Sequence, residues 1–251
     1  MKQSQKDLGG LQCTILDPVD ANQKPELIVI LCHGFGAPGD DLVPLGQWFC
    51  QQNPGFGEVV RFVFPEAPLS LSHMGMPGGR AWWMIDTLAM QRAIESGKPR
   101  DLSRDIPEGM LEASEMVSEL VKQLMDFHEL TADRMILGGF SQGSMVTTDV
   151  ALRMMQAPGG LIVMSGTLVC ESVWRELSQK RGMLKILQSH GRQDPILSFE
   201  GAKALRNLFL QSSFDHQFLP FYGEHSIPEE VLRAAAEMIS DQADSKKAIV
   251  L

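Results

Sequence analysis

Residues 134–155 read RMILGGFSQGSMVTTDVALRMM, and this stretch decides the fold. An apolar run, Arg134–Gly138, reaches Gly139-Phe140-Ser141-Gln142-Gly143 and is followed by a helix-compatible run from Ser141 to Gln156. G-x-S-x-G alone is weak, since about one chain in six of this composition holds a match by chance. A strand before it and a helix after it give the motif its meaning, a strained turn that lifts the serine Oγ above a sheet. Side chains at 139 and 143 would collide with the flanking strand and helix. The free amides of the helix that starts at Ser141 favour an anion there. Ser141 is therefore the candidate nucleophile.

Outward from this turn, short apolar runs alternate with helical patterns. Leu27–His33, Val59–Phe64, 134–138, Leu161–Ser165, Leu184–Ser189 and His216–Phe221 read as strands without polar alternation, as in a sheet covered on both faces. Leu11–Leu16 reads as an antiparallel edge strand. Helices are expected over 40–52, 107–128, 141–156, 172–181, 199–211 and 228–240. The alternation predicts an α/β domain with a mainly parallel, doubly wound sheet of about seven strands and helices on both faces. One domain spans 1–251, with ligands bound at the carboxyl ends of the strands. Residues 65–104 break the rhythm with prolines, glycines and paired tryptophans, and read as a lid or substrate-binding excursion. Residues 242–251 read as a frayed tail.

Serine needs a base. In hydrolases with this turn the acid and then the histidine follow the serine in the chain. That leaves His190, His216 and His225. His190 closes an expected strand and His216 lies within one, whereas His225 sits in a loop past the last strand, so it is the candidate base. Asp194, in the loop HGRQDP after another strand, is the candidate acid. Asp149 falls in the nucleophile helix, Asp215 precedes a strand, Glu200 falls in a helix, and Glu224 comes too late to reach round. Acyl transfer also needs two amides for the oxyanion. Gln142 follows the nucleophile, and Phe35 lies in His33-Gly34-Phe35-Gly36 behind the first core strand. Leu69, Met74, Met76, Trp82 and Trp83 are expected to line an apolar acyl pocket.

The net charge of −9 argues against nucleic-acid binding. The N-terminus lacks an apolar signal core and no run is long enough to span a bilayer, so a cytoplasmic protein without stable membrane insertion is expected. Cys13, Cys32, Cys50 and Cys170 have neither zinc nor CxxC spacing and read as reduced structural thiols. No metal site is expected, and a homodimer is compatible with the sequence.

ILCHGFGAPGDD, FPEAP, GGRAWW, GGFSQGS, SHGRQDPI and GEHSIPEEV, in this order, resemble the phospholipase/carboxylesterase family. The resemblance runs from about residue 25 to 240. It implies an α/β-hydrolase without a cofactor, a triad on Ser141, Asp194 and His225, and oxyanion amides on Phe35 and Gln142. The chain departs from that family at Glu66, where a histidine is frequent, at the WWMID segment, and in an extended 87–104. The expected activity is a serine carboxylesterase acting on short-to-medium acyl esters or thioesters. Acyl-protein thioesterase or lysophospholipase activity is the alternative. A dienelactone-hydrolase-like enzyme would carry cysteine at 141, and a non-catalytic binding protein on this fold would not need the triad.

Overall fold

In the computed structural model, residues 2–17, 24–97 and 100–245 are described. The chain runs β1 (Lys2–Leu8), β2 (Leu11–Asp17), β3 (Leu27–Cys32), α1 (Val43–Gln52), α2 (Phe56–Val59), β4 (Val60–Pro65), β5 (Leu69–Ser70) and β6 (Arg80–Ala81). It continues through α3 (Thr87–Glu95), α4 (Met110–His128), β7 (Met135–Phe140), α5 (Gln142–Arg153), β8 (Gly160–Met164) and α6 (Glu171–Lys180). It closes with β9 (Lys185–Gly191), α7 (Phe199–Leu210), β10 (Asp215–Phe221) and α8 (Glu229–Asp244).

The main sheet has the order β1-β2-β4-β3-β7-β8-β9-β10, and β5 and β6 form a separate small ribbon. From β4 to β10 neighbouring strands run parallel, while β2 is antiparallel to both β1 and β4. This is the α/β-hydrolase arrangement. The apolar runs become central strands because each residue faces a covering helix on one side or the other. In β3, Ile28, Ile30 and Cys32 enter the core beneath α4 and α5, whereas Leu27, Val29 and Leu31 pack toward α1 and α8. On α4, Val117, Leu120, Val121 and Leu124 form one apolar stripe. Each such side chain contributes about 1.5–3 kcal/mol by leaving water.

The eighth strand is β1, which the sequence pattern did not reveal. Its residues KQSQKDL carry almost no apolar side chain, and it is held by hydrogen bonding to β2. Gly9 and Gly10 turn the hairpin at φ 60° and 76°, a geometry that suits the twist of paired strands. A Cβ on Gly9 would stand 2.5 Å from the Leu120 amide nitrogen, so the turn can lie directly on α4.

Helix α3, over Thr87–Glu95, has no counterpart among the helices expected from the sequence. Asp86 caps α3 by accepting from the Ala89 amide at 2.9 Å, yet α3 buries no residue completely. The last helix runs past Ser240 to Asp244, and its Ala243 is buried, so residues 242–244 of the expected tail are helical. Residues 246–251 of that expected tail lie outside the described residues. Cys13, Cys32 and Cys170 are buried free thiols and Cys50 is partly buried. Among the described residues, no helix is long and apolar enough to cross a membrane.

Candidate active site

β7 delivers Ser141 to the carboxyl edge of the sheet. Its backbone is at φ 53°, ψ −121°, a conformation that costs a non-glycine residue about 1–3 kcal/mol. The two motif glycines make the turn possible. A Cβ on Gly143 would lie 2.0 Å from the Cys32 carbonyl oxygen of β3, and one on Gly139 would lie 2.5 Å from the Gly143 backbone. Helix α5 therefore packs its first turn against β3 without side chains between. The Ser141 amide donates to Met164 O at 2.9 Å, and Ser144 Oγ donates to Ser141 O at 2.7 Å. Gln142 is the first residue of α5, where a backbone N–H has no carbonyl of its own helix to bond.

Asp194 and His225 meet across the loops that follow β9 and β10. His225 Nδ1 lies 2.6 Å from Asp194 Oδ2. The other carboxylate oxygen accepts from the amides of Ile196 at 2.8 Å and Leu197 at 2.9 Å. Burial opposes ionisation of Asp194, but the His225 bond and these two amides outweigh it and hold the carboxyl below its ordinary range. The His225 ring rests on Phe140, the residue before Ser141, with centroids 4.7 Å apart. Ser141 and His225 both line one cavity of ≈ 510 Å³.

The other histidines considered lie elsewhere. His190 is wholly buried, with Nε2 2.9 Å from Leu197 O and 3.3 Å from Asp194 Oδ2. Burial lowers its pKa, so it stands as a neutral strut behind Asp194. His216 faces Gln188 Oε1 at 2.9 Å on the sheet edge.

Phe35 also lines the cavity, at a turn closed by Gly36 at φ 85°. Arg80 straps this turn from the ribbon: Gly36 N donates to Arg80 O at 2.8 Å and Arg80 N donates to Ala37 O at 3.1 Å. His33 supports it from below. Its Nδ1 lies 2.8 Å from Gly34 O and its Nε2 accepts from the Ala67 amide at 3.1 Å. Burial lowers its pKa, which suits this neutral tautomer. Glu66 pairs with Arg80 at 3.0 Å, so the unusual residue in FPEAP anchors the strap.

The cavity wall corrects the pocket expected from sequence. Trp83 is in it, but Leu69, Met74, Met76 and Trp82 are not. Leu69 and Met74 are surface residues on the ribbon and the turn beyond it. Met76 sits on the outer side of Gly36, its Sδ 3.7 Å from where a Cβ would stand. Trp82 is 1% exposed and serves the core, its Nε1 donating to His33 O at 2.9 Å. The two tryptophans stand in a bend just after β6, and only the second meets the cavity. The wall is made instead by Met84, Ile85 and Met90, from the segment leading into and through α3 that forms a cap over the cavity, with Met145 and Val169 from below. For the first three the signals are the WWMID departure, which holds Met84 and Ile85, and the extended 87–104, which holds Met90. Gln142 fastens cap to floor: its Oε1 accepts from the Trp82 amide and its Nε2 donates to Trp83 O, both at 2.9 Å. Among the described residues, no three His, Cys, Asp or Glu side chains gather as a metal site.

The sequence and the fold both have relatives among known proteins. A sequence model for the phospholipase/carboxylesterase family matches residues 17–242. Acyl-protein thioesterase 1 of Debaryomyces hansenii is 30% identical over 236 residues, covering 89% of this chain and 94% of that protein. A probable carboxylesterase of Oryza sativa subsp. japonica is 30% identical over 220 residues, covering 85% of this chain and 76% of that protein. A solved carboxylesterase from Mesorhizobium loti shares the fold at 15% identity, with TM-score 0.72 over 96% of this chain and 99% of its own.

Proposed function

This chain belongs to the phospholipase/carboxylesterase family, and from that premise we propose that it is a serine carboxylesterase in which Ser141, Asp194 and His225 act as a triad on short-to-medium acyl esters or thioesters. The observation that carries this reading is the 2.6 Å contact of His225 Nδ1 with Asp194, beside a serine held at φ 53°.

With Nδ1–H committed to Asp194, the Nε2 of His225 is the ring's remaining acceptor. It takes the Ser141 hydroxyl proton as Oγ attacks the acyl carbonyl. The amides of Phe35 and Gln142 receive the oxyanion as charge builds on it. His225 returns the proton to the departing alcohol or thiol, leaving Ser141 acylated. Water then loses a proton to His225 and attacks the acyl-enzyme; as the Oγ–acyl bond breaks, His225 gives that proton to Ser141 Oγ and the acid is released. Asp194 stays ionised throughout, steadied by the Ile196 and Leu197 amides. The acyl chain lies between Trp83 and Met90 of the cap and Met145 and Val169 below. Methionine side chains adapt to different chains, which favours breadth over sharp selectivity.

The relative named acyl-protein thioesterase supports a second reading, in which the acyl group arrives on a protein thiol. An S-acylated peptide and a p-nitrophenyl ester of equal chain length, compared by kcat/KM, separate the two. For both, treatment with a fluorophosphonate followed by mass spectrometry should place one adduct on Ser141. Folded protein without an adduct there would defeat the enzyme reading. Ser141→Ala should lower p-nitrophenyl butyrate hydrolysis by about 10⁴-fold or more.

A further inference from the structure

A groove on the free edge of the sheet is separate from the acyl cavity. Phe199, Lys203, Arg206 and Leu210 form one stripe of α7, and His216, Phe218 and Pro220 alternate along β10. With Arg192 from the loop after β9 they enclose ≈ 390 Å³. The rings form a stack: Phe199 to Phe218 is 6.0 Å at 22°, and Phe218 to His216 is 6.4 Å at 20°. Cations rest on the ring faces. Arg192 is 5.1 Å and Lys203 5.6 Å from the Phe199 centroid, and Arg206 is 5.9 Å from that of Phe218. Arg192 also lies 5.6 Å from the ring of Tyr222.

Three cations in one groove run against a net charge of −9. Lys203 pairs with Glu200 at 2.6 Å, but among the described residues no carboxylate is within ion-pair reach of Arg192 or Arg206. These come from α7 and a loop, and the rings hold them in place. A guanidinium stacked on a ring keeps its N–H donors in its own plane, pointed away from the ring, where a phosphate can take two at once. His216 adds no charge near neutral pH, because burial and Arg206, opposed by Asp215, bring its pKa down to about 4.

We propose that this groove binds a phosphorylated small ligand bearing a flat aromatic ring, the chemistry of a nucleoside diphosphate. The phosphates pair with Arg192 and Arg206, and the ring packs on Leu210, the exposed apolar side chain in the groove's wall.

Calorimetric titration of the full chain with ADP, inorganic phosphate and adenosine tests this. ADP should bind saturably with Kd below about 1 mM, and phosphate and adenosine should each bind at least about tenfold more weakly. The double variant Arg192→Ala/Arg206→Ala should lose ADP affinity by about tenfold or more at unchanged melting temperature, and Lys203→Glu, a single surface change, should weaken it independently. Arg206→Ala should leave p-nitrophenyl butyrate hydrolysis unchanged, which separates this site from the acyl cavity. No saturation by about 5 mM ADP, ADP affinity unchanged from the parent chain in both Lys203→Glu and the double variant, or phosphate binding as tightly as ADP would overturn the proposal.

Discussion

Ser141 holds a positive φ that serine avoids, and this strain sits on the residue proposed to carry the chemistry. Alanine at 141 keeps the strain and loses only the hydroxyl, whereas glycine relieves it. Ser141→Gly should therefore be more stable than Ser141→Ala by about 1 kcal/mol, read from urea midpoints, with both inactive. Equal midpoints would mean that the turn is not strained. At the proposed acid, Asp194→Asn should keep the fold and lower kcat by about 10⁴-fold, because an amide no longer fixes the His225 tautomer. Ser141, Asp194 and His225 were legible because each stands in a turn or loop after an apolar run. The two tryptophans were not. Both are buried, and they stand in a bend just past two-residue β6, where no strand or helix period tells which of the two also reaches the cavity.

At the scale of elements, α4 is joined to the sheet by a charged link. His128, at its C-terminal end, accepts from Arg61 Nη1 through Nε2, and Arg61 Nη2 donates to Asp17 Oδ2 at 2.7 Å. The link requires neutral His128. Burial, with Arg61 and Lys6 nearby and Asp17 opposing, brings its pKa from 6.5 to about 4. Between those values the unfolded chain holds a proton that the folded chain refuses. The stability is thus fully present above pH 6.5 and is lost as pH falls toward about 4. His128→Gln, which can still accept from Arg61, should flatten the fall in urea midpoint across that window. An unchanged slope would remove His128 as its source. Gly143→Ala tests another join. Its Cβ would meet the Cys32 carbonyl, backbone that cannot step aside, so the variant should lose about 3 kcal/mol or more or fail to fold. The central strands and most helices were readable because burial on both faces leaves an unbroken apolar record. β1 and α3 were not, since a polar strand held by its ladder and a helix with no fully buried residue leave no such record.

Over the whole molecule, the sheet presents the proposed chemistry at one edge and the cap covers it. The cap rests on the body through Trp83 and Ile85 and keeps Leu88 and Ile106 at 65% and 70% exposed. Lining the floor beneath it, Val169 is the place to shorten the cavity. Val169→Phe should lower kcat/KM for p-nitrophenyl octanoate by about tenfold relative to the acetate. An unchanged ratio would show that the acyl chain lies elsewhere. The fastening of this cap has a consequence for how the protein can change. Gln142 offers its amide to the proposed oxyanion and its carboxamide to the backbone of Trp82 and Trp83, so the cap hangs from main-chain atoms rather than from side chains. Met84, Ile85 and Met90 lie distal to that rivet, and the same segment is tied to the body again where the Ser103 and Asp105 carbonyls accept from the Glu171 and Cys170 amides, so these side chains can be exchanged without touching the Gln142 amide. The fold thereby separates what is hydrolysed from how, and residue 142 is the hinge of that division of labour.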